Sequence, residues 1–388
     1  MDTRNGTGGV AVGKVGNGIN DAGAVLEFSV LGKGDLPGSA GSIGAVSLNV
    51  TAANTTVGNE GGWVAVFPCG TTPGVSNLNF VSGQITPNAV ITPISSDGKV
   101  CFKVYGKADL IADVNGYFAP AAGFTTVTPS RIMDTRNGTG GVAVGKVGNG
   151  INDAGAVLEF SVLGKGDLPG SAGSIGAVSL NVTAANTTVG NEGGWVAVFP
   201  CGTTPGVSNL NFVSGQITPN AVITPISSDG KVCFKVYGKA DLIADVNGYF
   251  APAAGFTTVT PSRMMDTRNG TGGVAVGKVG NGTNDAGAVL EFSVLGKGDL
   301  PGSAGSIGAV SLNVTAANTT VGNEGGWVAV FPCGTTPGVS NLNFVSGQIT
   351  PNAVITPISS DGKVCFKVYG KADLIADING YFTASTPI

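Results

Sequence analysis

The chain has 388 residues, 11% of them charged, with 65 glycines, no histidine and a formal net charge of −4. So mild a charge, with no basic stripe, leaves no electrostatic footprint for nucleic acid. The missing histidine removes Ser-His-Asp and Cys-His catalysis, histidine-ligated zinc and any histidine pH switch.

The motif MDTRNGTGG stands at Met1, Met133 and Met265, so a unit of 132 residues occurs three times. That is far beyond the roughly 20–50 residues of solenoid units, and long enough for each unit to close its own core. Apart from the tail, the copies differ only at Ile19/Ile151/Thr283, Val114/Val246/Ile378 and Ile132/Met264. Three domains are expected, at residues 1–118, 125–250 and 257–388, with compact linkers at 119–124 and 251–256. The run FTTVTPSR precedes Met133 and Met265 but not Met1, so the first module is read as lacking its leading strand.

Within the first unit, strand signals are short and frequent. AVLEFSVLG alternates Leu26, Phe28 and Val30 against Glu27 and Ser29. AVSLNVT sets Val46, Leu48 and Val50 inward and Ser47 and Asn49 outward, the period of a half-buried antiparallel strand. GGWVAVFPCG is apolar on both parities and reads as a fully covered strand. SNLNF puts Leu78 and Phe80 on one side, and Pro93 in AVITPIS is tolerable only at an edge or bulge. Asp97-Gly98 fits a two-residue turn, so ISSDGKVCFKVYG reads as a hairpin. ADLIADVNGYF is a last strand, and TTVTPSRIMDTR supplies another between modules. Seven or eight strands per unit, split by Gly, Pro and Asn turns, predict an all-β chain. The expected architecture is three tandem antiparallel β-sandwiches of jelly-roll type. Small β-barrels come second, and one closed ring built from all three copies third.

Each unit carries two cysteines 32 residues apart: Cys69 and Cys101, Cys201 and Cys233, Cys333 and Cys365. One pair per module, with no histidine or second pair nearby for zinc, predicts three disulfides and an extracellular, secreted or cell-surface protein.

PSRIMDTR, AVSLNVT, SNLNF, DGKVCF and DLIADVNGYF recur in this order and cover most of each unit. Together they resemble a family of secreted bacterial modules, common in actinobacteria and their relatives. That family has an R-x-x-D-T-R opening and a D-V-x-G-Y-F close, often in tandem. The resemblance implies an extracellular β module of cell-surface or secreted proteins, of poorly defined role, and no catalytic residues. The near identity of the three copies departs from such arrays.

Other chemistry is sparse. Asp109 and Asp113 lie four apart on one strand, roughly 13 Å along it, and read as solvent-facing rather than as a glycosidase pair. No D-x-D-x-D-G calcium loop exists, so Asp2, Asn5, Asp113 and Asn115 read as turn and cap residues. No metal site and no cofactor are expected. Arg131, Asp134 and Arg136 could form a charge ladder pinning the module's edge. Arg4 and Asp2 repeat part of it, without a counterpart of Arg131. Trp63, Trp195 and Trp327 are candidate glycan-stacking residues, though an apolar strand suits a core tryptophan better. The sequons at Asn49 and Asn54 have outward parity.

These features predict a non-enzymatic, disulfide-pinned array acting as a stalk, sheath or head-to-tail filament. The alternative is a multivalent binder of surface glycans or a protein partner. No apolar run approaches the roughly 18–20 residues of a membrane span, and no signal peptide opens the chain. The tail TASTP matches TTVTP at Thr383, Thr386 and Pro387. Thr383, Ala384, Ser385, Thr386, Pro387 and Ile388 are therefore expected either to mark a chain trimmed mid-repeat or to lie on the first module of another copy. There they would meet Met1, Asp2, Thr3 and Arg4 by strand addition.

Overall fold

The computed structural model describes residues 1–120, 123–252, 255–338 and 340–384. Among them are twenty-three β-strands and three single-turn 3-10 helices, and no α-helix. The all-β expectation holds.

The first repeat contributes β1 (Ala22–Ser29), β2 (Ala45–Thr56), β3 (Gly62–Pro68) and β4 (Leu78–Phe80). It continues with β5 (Thr86–Pro93), β6 (Lys99–Tyr105) and β7 (Lys107–Phe118). The second repeat opens with β8 (Phe124–Asp134), then β9 (Ala154–Ser161), β10 (Ala177–Thr188) and β11 (Gly194–Pro200). It ends with β12 (Leu210–Phe212), β13 (Thr218–Pro225), β14 (Lys231–Tyr237) and β15 (Lys239–Phe250). The third repeats this as β16 (Phe256–Asp266), β17 (Ala286–Ser293), β18 (Ile307–Thr320) and β19 (Gly326–Pro332). Its last strands are β20 (Leu342–Phe344), β21 (Thr350–Pro357), β22 (Lys363–Tyr369) and β23 (Lys371–Thr383). Phe124 and Phe256, read as linker residues, thus open strands.

Each repeat forms two antiparallel sheets. In the second they run β13-β10-β15-β8 and β12-β11-β14-β9. Val178, Leu180 and Val182 of the one meet Val196, Val198 and Phe234 of the other in a closed core. Alternating β-branched residues pack well on such pleated faces. The first repeat keeps β1-β6-β3-β4, but its other sheet has only three strands, β5-β2-β7. Pro93 ends the edge strand β5, where its missing N–H costs no ladder bond. Gly98 holds φ at +79°, but its N–H donates to Ser95 O, so the turn is centred on Ser96 and Asp97, one residue before the expected Asp97-Gly98 pair. The turn does not make a hairpin, however. β5 and β6 lie in different sheets, so the chain crosses from one to the other there.

The tandem arrangement is corrected. The six sheets form one closed six-blade ring with threefold pseudo-symmetry, not three sandwiches strung in line. A cycle of asparagines runs through all three junctions. Asn88 Nδ2 donates to Asn181 Oδ1 (2.8 Å), Asn220 to Asn313 (2.8 Å) and Asn352 to Asn49 (2.7 Å). The same three asparagines accept from the backbone N–H of Ala221, Ala353 and Ala89. On the axis, Phe118, Phe250 and Phe382 form a near-equilateral triangle with centroids 5.8–5.9 Å apart. Phe124 and Phe256 wedge between successive corners, at 4.6–4.8 Å.

Ring closure explains a second correction. Ser47 and Asn49, read as a solvent face, are buried, Asn49 to 1% exposure. Asn49 Nδ2 donates to Ser340 O of the third repeat, so this sequon has no room for a glycan. Asn54 is exposed, at φ +50°, with its amide bound to Asp109. Among the described residues no helix is long and apolar enough to cross a membrane, which says nothing of strands.

Candidate functional site

The strands β8 and β16 have no counterpart among the described residues of the first repeat. β8 pairs along β15, from Ile243 with Asp134 to Phe250 with Phe124, and Val127 and Ile132 enter the core. Arg131 Nε donates to Asp245 Oδ1 (2.9 Å), and its Nη1 lies 3.4 Å from Asp134 Oδ2. Arg136 grips the same Asp134 through Nε (2.9 Å) and Nη2 (2.7 Å). The predicted ladder is therefore present, extended by Asp245, the counterpart of the Asp113 expected to face solvent. Arg263, Asp266, Arg268 and Asp377 repeat it in the third unit.

Burial and pairing compete within this cluster. Burial pushes Asp134 up, but hydrogen bonds from Arg136 outweigh it and hold the carboxyl below its usual range. At Asp245 burial wins over Arg131, and the carboxyl is raised. Asp377, equally buried, is pushed up to about 6 despite Arg263.

In the first repeat Met1 occupies the position of Met133. Its amino group donates to Ala112 O (2.9 Å), and Ala112 N donates back to Met1 O (2.9 Å). Thr3 N donates to Leu110 O, Thr3 Oγ1 accepts from Leu110 N, and Arg4 grips Asp2 as Arg136 grips Asp134. Beyond Ala112 pairing stops on this side, and the edge of β7 from Asp113 to Phe118 has no described neighbour there. Asp113 has no hydrogen-bond or ion-pair partner among the described residues, and burial pushes it up to about 6. Phe28 and Val114 are half-buried, where Phe160 and Val246 are fully buried.

A glycine pair measures the empty space. A Cβ on Gly166 would meet Val246, Ser130 and Ile132 at 2.5–2.9 Å, so β8 presses on that backbone. On the equivalent Gly34 it would meet only Val114, at 3.0 Å.

The space is continuous with a cleft between repeats. The cleft between the first two repeats holds about 310 Å³ and is bordered by Trp63, Ser76, Asn79, Arg131 and Arg136. Its counterpart between the third and first repeats is bordered by Trp327, Ser340, Asn343 and Arg4, and holds about 740 Å³. Phe28, Leu48, Phe102 and Asp113 line the extra volume. In the first cleft that slot is closed by β8.

The tryptophans are neither core residues nor freely exposed. Trp63 is half-buried and stacks on Tyr105 at 5.8 Å and 13°, at the junction between repeats, and Trp195 and Trp327 do likewise. Ala65, Phe67 and Cys101 continue this outer patch. All three predicted disulfides form, with Cα atoms 5.0 Å apart: Cys69–Cys101, Cys201–Cys233 and Cys333–Cys365. They fit a secreted protein, indirectly. Asp109 is buried, accepting from Asn54 Nδ2 (2.7 Å) and Thr3 Oγ1 (3.5 Å), so neither it nor Asp113 is a free surface carboxylate. Among the described residues no three His, Cys, Asp or Glu side chains gather as a metal site.

Thr383 pairs with Ile307 in its own sheet and donates to Gly255 O (2.9 Å). Ala384 follows in a turn, and Ser385, Thr386, Pro387 and Ile388 lie outside the described residues. The ion pairs of Asp245 with Arg131 and of Asp377 with Arg263 are not among the expectations from sequence.

No family model and no curated protein matches the chain. Among solved structures, it is similar to the triple jelly roll of an archaeal virus turret assembly. The identity is 11% and the TM-score 0.22, over 94% of this chain and 84% of that one. It is also similar to the tandem CBM22-1-CBM22-2 domain of Xyn10C from Paenibacillus barcinonensis. Here the identity is 11% and the TM-score 0.18, over 69% and 94% of the chains. Likenesses this distant carry no argument.

Proposed function

We propose that this protein is an extracellular structural protein. In this reading it is a rigid disulfide-pinned ring that self-associates head to tail by strand addition, and it is not an enzyme. The observation that supports it is the unpaired stretch of β7 from Asp113 to Phe118, beside a slot that the other two repeats fill. An open sheet edge is a template for a further strand, and a head-to-tail contact that does not close makes a filament. The near identity of the copies suits a ring whose three junctions must match. The secreted bacterial modules that the motifs resemble would place such a ring at a cell surface. The donor in this reading is the tail, residues 383–388, of a second copy. Within one chain that tail starts near the same edge, since Phe382 lies 5.8 Å from Phe118. Mass photometry and electron microscopy over a concentration series test this. Concentration-dependent oligomers that vanish when residues 383–388 are deleted are expected. A monomer at every concentration, or assembly that survives the deletion, overturns it.

One observation favours a second reading, multivalent binding of a surface glycan. The stacked Trp63–Tyr105 pair sits at a cleft mouth, and the ring presents it three times. A glycan array with the wild type and Trp63→Ala decides it. Binding that is absent, or unchanged in the variant, removes the reading.

A further inference from the structure

The chain carries more acid than base, 24 Asp and Glu against 20 Lys and Arg. Yet the cleft between the first two repeats is bordered by two arginines and no acidic side chain. Trp63, Ser76 and Asn79 of the first repeat form one wall, and Arg131, Arg136 and Ile217 of the second form the other. At about 310 Å³ it lies at the small end of ligand pockets, a size that suits a sugar ring or two.

The side chains that border it offer open donors. Arg136 spends Nε and Nη2 on Asp134, and its Nη1 makes no hydrogen bond among the described residues. The guanidinium edge formed by Nη1 and Nη2 is therefore open to a second acceptor. The carboxylates that balance the two arginines lie behind them. Asp134 and Asp245 are 0% and 1% exposed, against 42% and 30% for Arg136 and Arg131. Asn79 Oδ1 accepts from Ser76 Oγ (3.4 Å), while its Nδ2 has no partner among the described residues. Glu60 accepts from Tyr105 Oη (3.3 Å) and does not border the cleft.

The same set recurs between the second and third repeats. Arg268 grips Asp266 through Nε (2.9 Å) and Nη2 (2.7 Å), Trp195 stacks on Tyr237, and Asn211 accepts from Ser208. The walls meet at matching spacing there. A Cβ on Gly74 would stand 3.8 Å from Pro129 O, and one on Gly206 3.7 Å from Pro261 O.

We infer that these clefts are binding sites for acidic glycans, in which Arg136, and Arg268 at the next junction, hold the carboxylate of a uronic acid. The planar carboxylate takes the open guanidinium edge through two parallel N–H···O bonds, the arrangement in which arginine binds carboxylates best. The apolar face of the sugar ring lies on Trp63, and Asn79 Nδ2 donates to a hydroxyl. This site rests on the glycan reading of the stacked tryptophans and names its ligand class. A sugar sulfate offers oxygens to the same edge and is the comparison that matters.

The test presents the full chain, by glycan array and then calorimetry, with uronate-bearing oligosaccharides, their methyl esters, and sulfated and neutral oligosaccharides. Esterification removes the charge and keeps the ring. Uronates are expected to bind, their esters about tenfold more weakly or worse, and the binding to fall as salt is raised. Hydrogen exchange is expected to slow at residues 76–79 and 134–136 on saturation. Arg136→Gln is expected to bind one uronate fewer per chain, and the ester comparison stays decisive if that variant folds poorly. Uronate binding unchanged in a folded Arg136→Gln, or a preference for sulfated sugars, overturns the site as stated. Equal affinity for acid and ester overturns the acidic class and leaves the glycan reading standing. No binding to any oligosaccharide removes both.

Discussion

The first and second repeats are nearly the same sequence in two different states. In the second, Asp245 is 1% exposed, clamped by Arg131, and its strand β15 is covered on both edges. In the first, the equivalent Asp113 is half-buried and unpaired, and β7 is open along its last six residues. Phe28, Val114 and Gly34 lose cover with it. The presence of β8 beside β15 thus goes with different surroundings along a whole sheet edge, while the other strands keep the same order. The core of each repeat comes mainly from its other seven strands, while the leading strand supplies charge compensation and closure.

The largest expected effect concerns the disulfides. Removing one by paired Cys→Ala changes costs about 3–4 kcal/mol for a loop of this size in the chain-entropy model. The loss of Cys69–Cys101 should open the first repeat to hydrogen exchange before the loss of Cys201–Cys233 opens the second. Equal protection in the two variants would break the comparison.

Next comes Arg131→Ala. It strands Asp245 in a buried site and should destabilise the second repeat by about 3 kcal/mol in chemical denaturation, with Asp245→Asn added on top restoring part of it. No loss would mean that the arginine is dispensable and Asp113 is not short of a partner.

The smallest effect is Asp113→Asn, and it should stabilise. The folded pKa of Asp113, about 6, lies above the ordinary carboxylate value, so the folded state holds the proton more tightly. Its contribution therefore falls as pH rises from about 4 to about 6, and is flat above. The Met1 amino group, Asp2 and Arg4 face it and are unchanged by the substitution. At pH 7 the variant should be more stable by about 1 kcal/mol, allowing for the partial exposure of the side chain. The stability difference between variant and wild type should shrink toward pH 4. A variant less stable than wild type at pH 7 would show that the charge is already compensated.

Much of the fold was legible residue by residue. AVSLNVT forms a strand, Pro93 ends an edge strand, and Gly98 takes the positive φ of a tight turn, as those residues imply. The hairpin was not legible, because a tight turn does not reveal whether the next strand stays in the sheet or crosses over. Nor was the burial of Asn49. Small polar residues read as a solvent face, and here that face meets another repeat whose Ser340 carbonyl and Asn352 amide replace water.

The sequence by itself determined that this is an all-β chain of three like units, each with a cysteine pair, because side-chain period, turn residues and repetition are local properties. Only the tertiary structure decided that the units close into a ring and that Asp245 is a buried charge held by Arg131. Those facts depend on which surfaces meet, and residues such as Asn49 and Asn352, or Asp245 and Arg131, carry no mark of each other until the chain brings them within hydrogen-bonding distance.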